Sequence, residues 1–195
     1  MTEGKSRWIL SGGLASGKSK VREFLAGEGV LTIDADSIGH EVLHPEGLAF
    51  TQVADRWPHA VREGEIHRPS LASIVFNDPD ELAALEAITH PHIFDTINAQ
   101  VERVESVVVV EVPVLSHGLG ADWRRIVVDC RDDVRRERAV ARGMSESDVR
   151  SRMDRQPSRS AWLAAAELVI PNHGSEDGLE QTVTEVIAAS VLHSA

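Results

Sequence analysis

Residues 12–19 read GGLASGKS, and Gly12, Gly17, Lys18 and Ser19 satisfy the spacing G-x-x-x-x-G-K-[ST]. Each residue type has a chemical reason to be there. Glycines let a backbone turn tightly and aim its N–H groups at phosphate oxygens. A helix starting at the end of such a loop adds unpaired N–H groups and a favourable dipole. Gly12, Gly13, Leu14, Ala15, Ser16 and Gly17 would form the cradle. Lys18 would reach the β- and γ-phosphates of ATP, and the Ser19 hydroxyl would ligate Mg²⁺. The alternative is a glycine-rich turn that binds nothing. The strand-like WIL before the loop and the helical KVREFLAGEG after it favour the phosphate loop.

Carboxylates follow at two places. Asp34 and Asp36, in Ile33–Asp36, come after a strand-like run, where ligands bind in open α/β folds. If the strand continues through them, both side chains point the same way. One could then accept a hydroxyl proton and the other order Mg²⁺ or its waters. The alternative for Asp36 is a cap on the helix SIGHEVL. Glu111, at the end of VVVVEV, is a candidate for ordering Mg²⁺ or a water; capping or pairing with an arginine is its alternative. His40-Glu41-Val42-Leu43-His44 matches H-E-x-x-H, a zinc-protease pattern. Pro45 stops that helix after barely two turns and no third ligand is apparent, so zinc hydrolysis is not expected.

These residues need elements to position them. Trp8–Leu10, Val30–Ile33, Val107–Val112, Ile126–Asp129 and Leu168–Ile170 read as buried strands separated by helical segments. That alternation implies an α/β fold with a mainly parallel sheet and helices on both faces. The long gap from Asp34 to Ser106 is helical in pattern and reads as an insertion carrying substrate contacts. In it Asp78 is a plausible cap, Pro79 opens a helix, and Pro91 ends or restarts it. Asp132–Ala141 and Ser145–Met153 read as helices broken at Gly143, and Glu176–Leu192 as a closing helix. No linker or repeat divides the 195 residues.

Composition narrows the class. The formal net charge is −11, which argues against a general nucleic-acid binder. Yet nine of the seventeen arginines fall between Arg131 and Arg159, which suggests a local anion site, with a solvated helix face of ion pairs accounting for most of them. No apolar run approaches the roughly 20 residues of a membrane span. No signal peptide is apparent, so a cytoplasmic location is expected. Cys130 is the single cysteine and reads as a buried structural thiol. Trp57 and Trp123 are expected to pack internally. With no oligomer signal, the expectation is a monomer or weak homo-oligomer acting on a small molecule, with no nucleic acid or membrane partner.

Several motifs together resemble the dephospho-coenzyme A kinase family. GGLASGKS is similar to the family's loop and Ile33–Asp36 to its IDAD. Gly64–Ile93 resembles its helical insertion, Glu137–Gln156 its arginine-rich lid, and Ala165–Gly174 its final strand and N-x-G turn. The resemblance covers nearly the whole chain. It implies a three-layer P-loop kinase fold on a parallel five-stranded sheet. The core would be 1–61, 94–136 and 160–195, with an acceptor-binding helical insertion near 62–93 and a lid near 137–159. It implies transfer of the ATP γ-phosphoryl group to the ribose 3′-hydroxyl of dephospho-coenzyme A. Asp36 would be the base with Asp34 nearby, and Lys18, Ser19 and Mg²⁺ would hold phosphates. Arg142, and with it Arg138, would reach the transferring group from the lid. Arg68 and His90 would lie by the acceptor, and Asn172 and Gly174 by the adenine. The chain departs from the family's pattern at Ala15, Lys20, Trp57-Pro58, Glu111, Ser116, His117 and Glu167. A divergent kinase of the same fold acting on another nucleotide or small-molecule hydroxyl is the alternative.

Overall fold

Short runs of valine and isoleucine become the strands of one parallel sheet. The computed structural model describes residues 6–115, 118–120, 122–174 and 176–190. In chain order its elements are β1 (Arg7–Ser11), α1 (Lys18–Gly27), β2 (Leu31–Asp34), α2 (Ala35–Glu41), α3 (Phe50–Arg56), β3 (Val61–Arg62), β4 (Glu65–Ile66), α4 (Arg68–Val75) and α5 (Pro79–Val101). Then come β5 (Val108–Glu111), β6 (Arg124–Asp129), α6 (Asp132–Ala141), α7 (Glu146–Asp154), α8 (Arg159–Ala164), β7 (Leu168–Pro171) and α9 (Glu176–Ser190). The sequence reading of the last helix to Leu192 runs past the described residues. The chain divides into two compact units: the described parts of Met1–Asp34 with Val104–Ala195, and Ala35–Arg103.

In the first unit five strands run in the order β2-β5-β1-β6-β7, all parallel. Alternate residues point to opposite faces. Trp8, Leu10, Val109, Ile126, Val128 and Ile170 pack with Val21 and Leu25 of α1 and Leu179 and Val183 of α9. The intervening Ile9, Val108, Val110 and Val127 are as deeply buried. Strands covered on both faces explain why these runs read as nearly continuous apolar stretches. Each such side chain taken fully out of water contributes about 1.5–3 kcal/mol. Cys130 is buried, as expected, and burial pushes its thiol pKa up. Trp123 is also inside.

The second unit is helical apart from one feature absent from the sequence reading. Val61–Arg62 pairs antiparallel with Glu65–Ile66. Glu63 and Gly64 both have left-handed φ, 51° and 84°, as a tight two-residue hairpin turn requires. Glu-Gly lacks the asparagine or aspartate that usually announces such a turn, and each strand has only two residues. Asp78 caps α5 as expected, accepting from the Asp80 and Glu81 N–H groups at 2.9 and 3.4 Å. Pro91, however, neither ends nor restarts that helix, which runs unbroken for 23 residues. A proline inside a helix costs about 3 kcal/mol. Here α5 packs on α2, α3 and α4 and buries Thr89, Ile97 and Val101, which outweighs that local cost. Trp57 is buried in this unit and donates to Glu81 at 2.7 Å. No helix of the described residues is long and apolar enough to cross a membrane.

One ion pair ties the end of β6 to the start of α8. Asp129 is buried, and both its oxygens accept from Arg159, Nε and Nη2 each at 2.7 Å. The bonded guanidinium holds the Asp129 carboxyl below the usual carboxylate range, outweighing burial, which acts the other way. A lowered folded pKa means this stabilisation is complete above the unfolded value of about 3.9 and is lost as pH falls through the folded value. Asp129→Asn should therefore lower stability at neutral pH by roughly 1–2 kcal/mol, with Arg159 half in solvent. It should also flatten the fall in stability below about pH 4. Thermal melts of both proteins from pH 7 to pH 3 check this.

Candidate active site

The loop between β1 and α1 has an unusual backbone. Ala15 sits at φ 55° and Gly17 at φ 101°. The left-handed region costs an L-residue about 1–2 kcal/mol, which is the physical reason glycine is usual where Ala15 stands. At Gly17 a side chain has no room either, since an added Cβ would overlap Asn172 Nδ2. An added Cβ at Gly13 would overlap the Arg135 guanidinium.

The loop's carbonyls are taken up by donors from other places. Lys18 Nζ donates to Gly12 O and Gly13 O at 3.1 and 3.3 Å. Arg135 Nε donates to Leu14 O at 2.8 Å, and Asn172 Nδ2 to Ser16 O at 2.7 Å. Gly17 O receives Val21 N–H at 3.1 Å, the first turn of α1. No side chain caps that helix at Gly17, and first-turn N–H groups without a side-chain cap are what an anion site uses.

Beside the loop, Asp34 and Glu111 end the neighbouring strands β2 and β5 and are register partners. Ser19 Oγ donates to Glu111 Oε1 at 3.3 Å. Arg22 bridges the two acids, Nε to Glu111 Oε2 at 2.8 Å and Nη2 to Asp34 Oδ2 at 3.2 Å. A hydroxyl and carboxylates are the hard oxygen donors Mg²⁺ takes, so these residues fit a metal–nucleotide. Sequence reasoning missed Arg22; its signal is the spacing of three from Ser19, which puts both on one helix face. Asp36 is placed differently from the expectation. The chain turns from strand to helix at Ala35, so Asp34 and Asp36 do not share a strand and the alternation argument does not apply. Asp36 lies within the first turn of α2, not ahead of it, and is exposed.

The other flank is built by α6 and the chain after β7. Arg138 donates to Asn172 O and Oδ1, both at 3.2 Å, and to Gly174 O at 2.7 Å. It is thus committed to the N-x-G turn. Arg142 is exposed, and its side chain makes no hydrogen bond or ion pair among the described residues. Gly17, Arg138, Arg142, Asn172 and Gly174 line one open cleft of ≈ 270 Å³. Arg125, also missed, is buried and among the described residues meets only neutral acceptors: Ser11 Oγ at 2.5 Å, Leu115 O at 2.6 Å and Val114 O at 3.3 Å. It pins the chain leaving Glu111, and burial lowers its pKa.

In the helical unit, Arg68 opens α4 and is exposed, and His90 lies half-buried in α5 with its ring 5.3 Å from that of Phe94. The H-E-x-x-H segment does not form one helix face: α2 ends at Glu41 and His44 lies in the turn beyond. Among the described residues no three His, Cys, Asp or Glu side chains could hold a metal ion together. Ser116 and His117 lie outside the described residues.

A phosphate loop after the central strand of a five-stranded parallel sheet, under an arginine-bearing pair of helices, defines the P-loop kinase class. A family model described as dephospho-CoA kinase matches residues 8–177. A dephospho-CoA kinase of Thermobifida fusca is 39% identical over 184 residues, covering 91% of this chain and 92% of that protein. A crystal structure from Thermus thermophilus superposes with TM-score 0.85 at 28% identity, covering 96% of this chain and 98% of that one. A dephospho-CoA kinase from Campylobacter jejuni does so with TM-score 0.63 at 26% identity, covering 95% and 97%. The chain belongs to the dephospho-CoA kinase family, and is a kinase.

The loop's backbone gives paired expectations. Ala15→Gly removes the left-handed strain but adds freedom to the unfolded chain, and should stabilise by about 0.5 kcal/mol net. Gly17→Ala should destabilise by about 1–2 kcal/mol and weaken ATP binding more than tenfold. Denaturant melts and nucleotide titration of the two variants check both signs.

Proposed function

We propose that this chain transfers the γ-phosphoryl group of ATP to the ribose 3′-hydroxyl of dephospho-coenzyme A, giving coenzyme A and ADP. The observation that carries the reading is the phosphate loop itself, its carbonyls bonded back into the protein and its helix start left uncapped, in a chain of this family. Lys18 and the loop N–H groups that are not bonded within the protein, as those of Leu14 and Ser16 are, hold the phosphates. Ser19 and Glu111 are the residues that would hold Mg²⁺, whose charge, when bound, offsets that of the β- and γ-phosphates. Arg22 keeps the two strand-end carboxylates in place. Asp34, Arg68 and His90 are the residues this reading assigns to binding the acceptor. Asn172 and Gly174 form the turn for the adenine, which Arg138 stiffens.

Asp36 takes the proton from the 3′-hydroxyl as that oxygen bonds to the γ-phosphorus. The bond from γ-phosphorus to the β–γ bridging oxygen breaks, and ADP leaves with the electron pair. Arg142, exposed and unpaired among the described residues, stabilises the charge on the moving group. Little covalent help is needed; in-line placement and charge supply most of the rate. A cytoplasmic location and a monomeric or weakly associating state complete the proposal.

The test is ADP release with dephospho-coenzyme A, with the product's 3′-phosphate located by mass spectrometry. Release stimulated by a different hydroxyl compound, and not by this one, would replace the acceptor. Asp36→Asn should leave ATP affinity within about threefold and cut turnover by roughly 10²–10⁴. Unchanged turnover would remove Asp36 as the base.

A further inference from the structure

Leu14 commits both of its backbone polar groups to side chains far along the sequence. Its N–H donates to Gln156 Oε1 at 2.7 Å, and its carbonyl accepts from Arg135 Nε at 2.8 Å. The two side chains are themselves joined, Arg135 Nη2 donating to the same Gln156 Oε1 at 2.9 Å. The remaining nitrogen, Nη1, donates to Asp132 Oδ1 at 2.7 Å. Arg135 is 4% exposed, rare for an arginine unless its donors are satisfied. Here all three guanidinium nitrogens bond, and the plane lies so close to Gly13 that only glycine fits there.

The placement of these two residues matters as much as their bonds. Arg135 lies in α6 and Gln156 follows α7, so the residues between them leave and return through the same spot behind the loop. The side chains of Arg136, Arg142, Arg150, Arg152 and Arg155, all within that excursion, make no hydrogen bond or ion pair among the described residues. A cleft of ≈ 170 Å³ lined by Asp132, Arg135, Arg136, Arg150 and Gln156, among others, joins the helices to the clamp. The excursion thus carries unpaired positive charge and is anchored at both ends on Leu14.

We propose that Arg135 and Gln156 are positioning residues for the phosphate loop: together they fix the Leu14 peptide so that the loop is preshaped for ATP, and they tether the 136–155 excursion to the nucleotide site. Neither needs to touch ATP. If Gln156 loses its oxygen, the Leu14 N–H loses its acceptor and Arg135 loses one of its bonds, and the loop must be ordered again each time ATP binds. A role in packing alone would lower the melting temperature without a selective effect on ATP.

The inference rests on the proposed function only in requiring that ATP binds, so its test uses direct binding and needs no acceptor. ATP affinity is measured by titration, and exchange of the Leu14 amide hydrogen is followed in the nucleotide-free protein. Gln156→Leu should weaken ATP binding about tenfold, or about 1.4 kcal/mol, and speed Leu14 exchange. Gln156→Glu keeps an oxygen in place for both donors and should restore both readouts to within about threefold of the parent. With acceptor present, KM for ATP should rise in Gln156→Leu while KM for the acceptor stays unchanged. If Gln156→Leu does not fold, Gln156→Asn, polar but one methylene short, should give the same loss. Parent-like ATP binding and Leu14 exchange in the folded variant would overturn the proposal. So would equal losses in Gln156→Leu and Gln156→Glu. A parent protein that does not bind ATP would instead overturn the proposed function.

Discussion

A loop that binds phosphate with its N–H groups must have somewhere else to put its carbonyls. Left unbonded near an anion, they would repel it and lie unsatisfied in a half-buried site. Here the solution comes from three directions. Lys18 folds over Gly12 and Gly13, Arg135 takes Leu14, and Asn172 takes Ser16. Two of these three lie more than a hundred residues from the loop. Much of the first unit serves this condition: β6 leads into the α6 that carries Arg135, and β7 leads into Asn172. Two of these donors, Lys18 and Arg135, also bring positive charge, so contacts that shape the loop favour what it binds.

The carboxylate side meets a related constraint. Parallel strands in register place Asp34 and Glu111 side by side, where two like charges destabilise each other. Arg22 resolves this by bonding one oxygen of each. Because Arg22 and Ser19 rise from the same face of α1, the helix that begins at the phosphate site also orders the acids beside it. Glu111 bonds both of them, through different oxygens. The longer glutamate side chain thereby reaches a hydroxyl and a guanidinium of one helix, a reach that bears on its standing where aspartate is usual.

The parts of the molecule legible in the sequence are those governed by local pattern. The five strands show as valine and isoleucine runs, the loop as glycine and lysine spacing, and the α5 start as Asp78-Pro79, because each depends on residues within a few positions of one another. The hairpin at 61–66 and the passage of α5 through Pro91 were not legible; a short turn with unusual residues and a tertiary override of a helix breaker leave no local trace. The same holds for the site. Lys18, Ser19, Glu111 and Asn172 are announced by motif, but Arg22, Arg125, Arg135 and Gln156 are not. For the arginine-dense segment the sequence suggests a local anion site, with a solvated face of ion pairs accounting for most of the arginines. Among the described residues only Arg131, Arg135 and Arg159 pair with acids there, and Arg138 bonds a turn instead. Composition counts arginines but does not say which find partners 30 or 120 residues away.

That difference in partners divides the labour along α6. Arg138 and Arg142 are four residues apart and so share a face of the helix. Arg138 is held by three oxygens of the Asn172–Gly174 turn, whereas Arg142 has no partner among the described residues and faces the same cleft. An arginine already bonded to three protein oxygens must break those bonds before it can follow a developing charge. One that is unpaired gives up only hydration. The same logic ranks the segment: Arg135 and Arg138 are spent on bonds within the protein, and the Arg142 side chain, with none among the described residues, would lose least on meeting an anion. Had Arg142 been bonded to the turn instead, the helix would still be anchored, but its free charge would sit one turn earlier, nearer the residues that already hold the loop.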